Sequence, residues 1–189
     1  MENNEQAAKR VDDLGPFHNR SWEWRLYQPL VGKTMLELGD KVNRRLTYKA
    51  FFESLGYRHV SVDLNGLHGA LKLDLRRPLN LGTFDFISNI GTTEHVASQS
   101  GLWRNICEAM HVGSVLASIT PAPGHWVWHG MFYPKEEFYR QLAALNGLSI
   151  ERLYTEGCEG RKMVFARMSR VAEVPFSMPD ESNLYRNKQ

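Results

Sequence analysis

Long apolar runs, paired cysteines, basic tracts and a glycine-rich phosphate loop are all missing from this chain. Each absence excludes a class of protein. Without about 20 consecutive apolar residues no helix is expected to span a bilayer, so no membrane partner is expected. The polar start Met1–Gln6 has no apolar stretch behind it of the kind a secretory leader needs. Cys107 and Cys158 are the two cysteines and have no CxxC spacing. That fits a reduced, cytoplasmic protein better than a disulfide-built one. The 23 basic and 21 acidic residues are interspersed and leave a net charge of +2. No basic run tracks phosphates, so no nucleic-acid partner is expected. A G-x-G-x-x-G turn is absent too, which ranks a nicotinamide-dependent oxidoreductase low. What is present, 189 residues with 42% hydrophobic content, suffices for one domain with a full core.

The pattern is densest from Thr34 to Asp63. Met35, Leu36 and Leu38 form a short apolar run stopped at Gly39, as in a strand buried on both faces. Tyr48, Phe51, Phe52 and Leu55 recur at i, i+3, i+4 and i+7, which gives one apolar helical face, and Gly56 supplies the stop. A second strand, His59–Asp63, ends in a carboxylate. Strand, turn, helix and strand make a βαβ unit, whose short links force parallel strands and a right-handed crossover. In such a unit the first turn and the positive helix end face the ligand, and an acid about 20 residues further on reaches ribose hydroxyls. Gly39 and Asp63 stand in those two places. Either a nucleoside-containing ligand binds there, or Asp63 merely closes a strand of an ordinary α/β domain.

Along the chain, residues 1–13 are polar and aperiodic, a flexible lead to a single domain spanning 14–169. Residues 14–32 crowd Pro16, Phe17, His18, Trp22, Trp24, Tyr27 and Pro29 ahead of the first strand. They read as a helix packed on the sheet, or as a lid over a ligand. After Asp63 the stretch Leu64–Ala70 is too polar and glycine-rich for a crossover helix. Residues 70–75 are then either a short parallel edge strand or one arm of a hairpin turned at Asn65-Gly66. Phe84–Ile90 is an apolar strand. Trp103, Ile106, Cys107 and Met110 predict a helix that stops near Gly113, and Val115–Thr120 a further strand broken by Pro121 and Pro123. A helix is predicted from Pro134, with Phe138, Leu142 and Leu145 as its buried stripe and Asn146-Gly147 as its end. Residues 148–154 and 162–168 pair as an antiparallel hairpin. Residues 170–189 are expected to be an extended or disordered tail.

Taken in order, Leu36-Glu-Leu-Gly39, Asp63, Asp74, Phe84–Asn89 followed by Glu94-His95-Val96, and Met110–Pro121 form a set. Over residues 34–168 that set resembles the Rossmann-like (class I) S-adenosylmethionine-dependent methyltransferases. The resemblance implies an α/β fold with a doubly wound, mostly parallel sheet and a C-terminal antiparallel hairpin. It implies S-adenosylmethionine as cofactor and a small molecule as methyl acceptor. Position by position, it implies that Glu37, Gly39 and Asp40 line the turn at the methionine end. Asp63 would accept from the ribose hydroxyls and Leu64 would pack on the adenine; Asp74 would accept from the adenine amine, with Leu75 beside it. Asn89, Ile90 and Gly91 would face the sulfonium and the nucleophile. The family turn carries two or three glycines where this chain has Gly39 alone, and Lys41 and Val42 are placed to narrow the methionine pocket. A non-catalytic binding or scaffold protein on the same fold is the alternative.

A hydroxyl or amine acceptor needs a base. Glu94, His95, His125 and His129 follow the fourth and fifth strands, on the rim where substrate should sit, with Trp126, Trp128, Phe132 and Tyr133 as an apolar wall. Each histidine has the plainer alternative of a loop residue bonded to backbone. His95 and His129 are the expected bases, while His111 is expected at a helix end in a structural role. No metal is expected. His125 and His129 have i, i+4 spacing, but Pro121, Pro123 and Gly124 oppose the helix that would align them, and no H-E-x-x-H pattern occurs.

Overall fold

The apolar run after Thr34 becomes the central strand of the sheet. In the computed structural model, which describes residues 25–40, 42–43, 46–158 and 160–187, β1 (Thr34–Leu38) sends Met35 into one core and Leu36 and Leu38 into the other. Both faces are covered, and the one charged residue of the strand, Glu37, is buried as well. A small antiparallel hairpin, β2 (Val42–Asn43) and β3 (Leu46–Thr47), precedes α1 (Tyr48–Ser54). Thr47 caps the helix, its hydroxyl accepting the Ala50 N–H at 3.0 Å. The helix therefore starts beyond the hairpin and not in the turn at Gly39, which corrects the simple βαβ expectation for its positive end. Its buried stripe is Tyr48, Phe51 and Phe52, three of the four residues predicted; Leu55, the fourth, is the half-buried C-cap.

β4 (Arg58–Asp63) pairs in parallel with β1. Residues 64–70 form a loop without a helix, and β5 (Leu71–Lys72) pairs in parallel with β4, Val62 opposite Leu71 and Asp63 opposite Lys72. Of the two readings of this segment, the parallel edge strand is the one formed. β6 (Phe84–Ile90) lies parallel on the other side of β1. α2 (Gln99–Glu108) buries Leu102, Trp103, Ile106 and Cys107. Met110, expected on this helix, opens β7 (Met110–Pro121) instead, and His111 is carried by the irregular start of that strand.

β8 (Phe132–Pro134) is followed by α3 (Glu136–Leu145), which begins after Pro134 and buries Phe138, Tyr139, Leu142 and Ala143. Leu145, predicted in the stripe, is 43% exposed. β9 (Leu148–Cys158) and β10 (Arg161–Arg170) form the expected antiparallel hairpin, and β10 runs antiparallel to β7. The seven-stranded sheet thus has the order β5-β4-β1-β6-β7-β10-β9. α1 packs on one face and α2 and α3 on the other, a doubly wound arrangement. Residues 170–189, expected to be an extended or disordered tail, contribute β11 (Leu184–Arg186), which pairs antiparallel with β8.

The lead at 1–13, Trp22, Trp24 and Lys41 lie outside the described residues. Tyr27 is buried edge-on to Phe52 and Phe86, with its hydroxyl 2.7 Å from Ser88 Oγ. The buried Arg167 guanidinium holds this segment, donating to Leu26 O at 3.1 Å, Tyr27 O at 2.9 Å, Pro29 O at 2.7 Å and the Glu151 carboxylate at 2.6 Å. A buried guanidinium satisfied by carbonyls and one carboxylate fixes geometry more than it adds net stability. Leu26 and Tyr27 are packed against the sheet; residues 14–24, which carry the other aromatics of the expected helix or lid, lie outside the described residues.

Candidate functional site

Parallel strands leave their ligand crevice outside their carboxyl ends. There, β4 delivers Asp63, the loop after β6 delivers Gly91 and Thr92, and the 3-10 turn Thr93–His95 delivers its last residue. A cavity of about 450 Å³ opens between them, lined by Asp63, Leu64, Asp74, Leu75, Gly91 and His95 among the predicted residues. Arg76, Thr92, Val96 and Met131 are among the other residues of its wall.

Asp63 Oδ1 accepts the Asn65 N–H at 2.9 Å, and Asn65 Oδ1 accepts the Leu67 N–H at 2.7 Å. These two Asx turns hold the loop without a helix. Leu64 is 62% exposed, an apolar side chain at the cavity mouth. Asp74 is gripped by Arg76, whose Nε and Nη2 donate at 2.9 and 2.7 Å and whose backbone N–H donates at 3.0 Å. These bonds hold its carboxyl down at about 2. Leu75 is buried below.

At the other end Gly39 has φ +86°, and an ideal Cβ on it would fall 2.4 Å from Thr92 Oγ1. The Thr92 hydroxyl donates to Leu38 O at 2.8 Å, so the protein itself occupies the space beside this glycine. Asp40 is paired with His68 Nδ1, tying the loop after β1 to the loop after β4. Glu37 is buried, with His59 Nε2 3.3 Å away. Burial pushes His59 down to about 4, with the Lys49 cation adding to the shift. None of Glu37, Gly39 or Asp40 lines the cavity.

Asn89 does not reach the crevice either. Its side chain is fully buried, donating to Thr93 Oγ1 at 3.0 Å and Ser118 Oγ at 2.8 Å and accepting the Thr93 N–H at 3.2 Å. Ile90 packs in the core. Ser118 Oγ also lies 2.8 Å from the Tyr139 hydroxyl, which burial pushes up to about 12 and so keeps protonated. Gln99 Nε2 donates to Thr93 O at 2.9 Å and Val96 O at 2.7 Å, and Trp103 Nε1 donates to Gln99 Oε1 at 3.0 Å. The 3-10 turn that carries Glu94 and His95 is therefore bolted to β6, β7 and α2.

Against that turn lies the loop between β7 and β8. His129 Nε2 is 3.5 Å and His95 Nε2 3.9 Å from Glu94 Oε1, and the two imidazoles meet edge to face at 4.8 Å. Met131 N–H donates to Glu94 O at 2.6 Å. Asn187 Nδ2 donates to His129 O and Gly130 O at 3.3 and 3.2 Å, and the Tyr133 hydroxyl donates to Trp126 O at 2.5 Å. Three of the four predicted catalytic candidates thus meet. His125 is exposed and joins neither the cluster nor the cavity wall. Of the predicted aromatic wall, Trp128 is 76% exposed while Tyr133 is buried. The sequence reading missed Thr92, for which adjacency to Gly91 was a signal, and Met131, for which the sequence holds none.

No protein-family model and no curated protein sequence matches this chain. Solved structures do. The Burkholderia thailandensis 1,6-didemethyltoxoflavin-N1-methyltransferase, determined with 1,6-didemethyltoxoflavin and S-adenosylhomocysteine, aligns over 91% of this chain and 92% of its own at TM-score 0.61 and 13% identity. The fold is that of the class I S-adenosylmethionine-dependent methyltransferases. A TehB-like methyltransferase from Corynebacterium glutamicum aligns over 88% of this chain and 97% of its own at TM-score 0.56 and 17% identity. The N-methyltransferase NodS from Bradyrhizobium japonicum, determined with S-adenosylhomocysteine, aligns over 85% and 90% at TM-score 0.57 and 16% identity. On this methyltransferase fold the cavity described above occupies the crevice beside β4 and β6.

Proposed function

We propose that this chain is an S-adenosylmethionine-dependent methyltransferase acting on a small-molecule acceptor. One observation carries the reading: the strand-ending Asp63 shares a cavity with Asp74, Leu75, Gly91 and His95, at the carboxyl ends of the parallel strands. At about 450 Å³ the cavity has the size of a small-molecule site. Its residues fit an adenosyl group, with apolar walls for a ring and two carboxylates for hydroxyl and amine donors. Asp63 accepts from the ribose, Leu64 and Leu75 cover the adenine, and Asp74 accepts from its amine while Arg76 keeps the carboxylate ionised. When bound, the cofactor's sulfonium supplies an activated methyl carbon, which the acceptor takes as the carbon–sulfur bond breaks. Gly91 lets backbone approach that region, and His95, on the same wall, takes the acceptor proton, with Glu94 and His129 behind it to share the charge.

The second reading, a non-catalytic binding or scaffold protein on this fold, is favoured by the Thr92 hydroxyl that fills the space beside Gly39. Thermal unfolding with S-adenosylhomocysteine decides between them. A ligand specific to the native state at about 100 times its dissociation constant stabilises by about 2.7 kcal/mol, a rise of several degrees. Asp63→Ala should weaken binding by about 1.5–3 kcal/mol, the worth of hydrogen bonds to a charged acceptor, while the lost Asn65 N–H bond costs folding only about 1 kcal/mol. No rise for the native chain at saturating ligand would establish the scaffold reading, and equal affinities would remove Asp63 from the ribose.

A further inference from the structure

Glu94 is a buried carboxylate, 0% exposed, whose two oxygens find no hydrogen-bond donor among the described residues. An ionised carboxylate buried without donors costs several kcal/mol, so such groups meet a cation or give up their charge. Two imidazole nitrogens face it, and the three ligand atoms of Glu94, His95 and His129 all lie within 4.8 Å of one another. Two imidazoles and one carboxylate are a donor set for zinc or ferrous iron, with positions left open for solvent or substrate. Bonds of 2.0–2.1 Å in tetrahedral geometry put ligand atoms about 3.3 Å apart. The separations from Glu94 Oε1, 3.5 and 3.9 Å, are a little wider. All three ligand atoms lie within 4.8 Å of one another, so an ion would draw the two half-exposed imidazoles inward as it binds.

The surroundings are built for close approach. A Cβ on Gly130 would fall 2.8 Å from Glu94 Cγ, so only glycine lets the His129 loop come this near. The Met131 N–H and the Asn187 amide hold the backbone on either side. The sequence pairs His129 with His125 at helical spacing; the fold pairs it with the Glu94-His95 turn.

We propose that Glu94, His95 and His129 bind a divalent transition-metal ion. Because His95 also lines the cavity, the ion sits at its edge, with an open position toward an acceptor oxygen. There it lowers the pKa of an acceptor hydroxyl, as zinc does for bound water; with the ion bound, His95 serves as ligand instead of base and the acceptor proton passes to solvent. That role rests on the methyltransferase reading; the binding of the ion does not.

The test is titration of the metal-free full chain with zinc against a chromophoric chelator, with thermal unfolding in parallel. The native chain should take one zinc with an affinity tighter than about 1 µM, and zinc should raise its melting temperature. Glu94→Gln and His129→Ala should each weaken binding by about 100-fold, while His125→Ala changes nothing. Unfolding curves without zinc show that the variants fold. No zinc taken up at about 10 µM, or undiminished affinity in Glu94→Gln, overturns the site. Zinc binding in a chain that S-adenosylhomocysteine fails to stabilise leaves the site standing and removes the proposed reaction; stabilisation without zinc binding does the reverse.

Discussion

β6 has a carboxylate near each end, and the two are treated in opposite ways. At its start, Asp85 Oδ2 accepts from Lys33 N–H, Thr34 N–H and the Thr34 hydroxyl at 2.8 Å each, and Oδ1 lies 3.1 Å from His111 Nε2. Burial acts to raise its carboxyl, but these donors outweigh it and hold the group at about 2. Just past the other end, Glu94 is more deeply buried and has two imidazoles near it, yet no hydrogen bond reaches either oxygen among the described residues. One carboxylate is spent on joining β1 to β6. The other is held in reserve at the rim, where unmet bonding capacity is what a site needs.

Three substitutions and titrations break or sharpen that contrast. Asp85→Ala strands the Lys33 and Thr34 donors and should cost about 3 kcal/mol of stability, read from urea unfolding. A loss below about 1 kcal/mol would mean the bonds are incidental. The pH dependence is smaller. Because the folded carboxyl lies below its ordinary value, its contribution is fully present above about pH 4 and lost as pH falls through about 2. The stability gap between the native chain and Asp85→Asn should therefore narrow over that window, by roughly 1 kcal/mol once solvent screening of this partly exposed group is allowed for. A constant gap would remove the charge from the explanation. Glu94→Gln, measured without added metal, should leave stability within about 1 kcal/mol or raise it, since no hydrogen bond to either oxygen is lost. A loss as large as that of Asp85→Ala would show that Glu94 is bonded as Asp85 is.

Sequence showed this contrast only in part. The strand-ending Asp63, the α1 stripe of Tyr48, Phe51 and Phe52 and the β9–β10 hairpin were legible because each is written in local periodicity or turn chemistry. Met110 was misread because its apolar spacing continues the stripe of α2 after the backbone has already turned into β7. Asn89 sits at a strand end as the site residues do, and only its partners Thr93 and Ser118 reveal it as a strut. Glu94 and His129 lie on separate loops, and nothing periodic announces that the fold will close one on the other. Asp85 was hidden for the same reason: its donors come from backbone N–H groups, which every sequence carries.

The clamp from Asn187 onto the His129 loop has a consequence for the order in which a newly made chain matures. The seven-stranded sheet is encoded by Arg170, the last residue of β10. The pairing of β11 with β8 and the Asn187 amide on His129 O and Gly130 O come only with the residues that follow. At 5–20 residues per second a translating ribosome reaches them about a second or more later. During that interval the sheet and His129 are both encoded, but the His129 loop lacks the Asn187 clamp on its backbone.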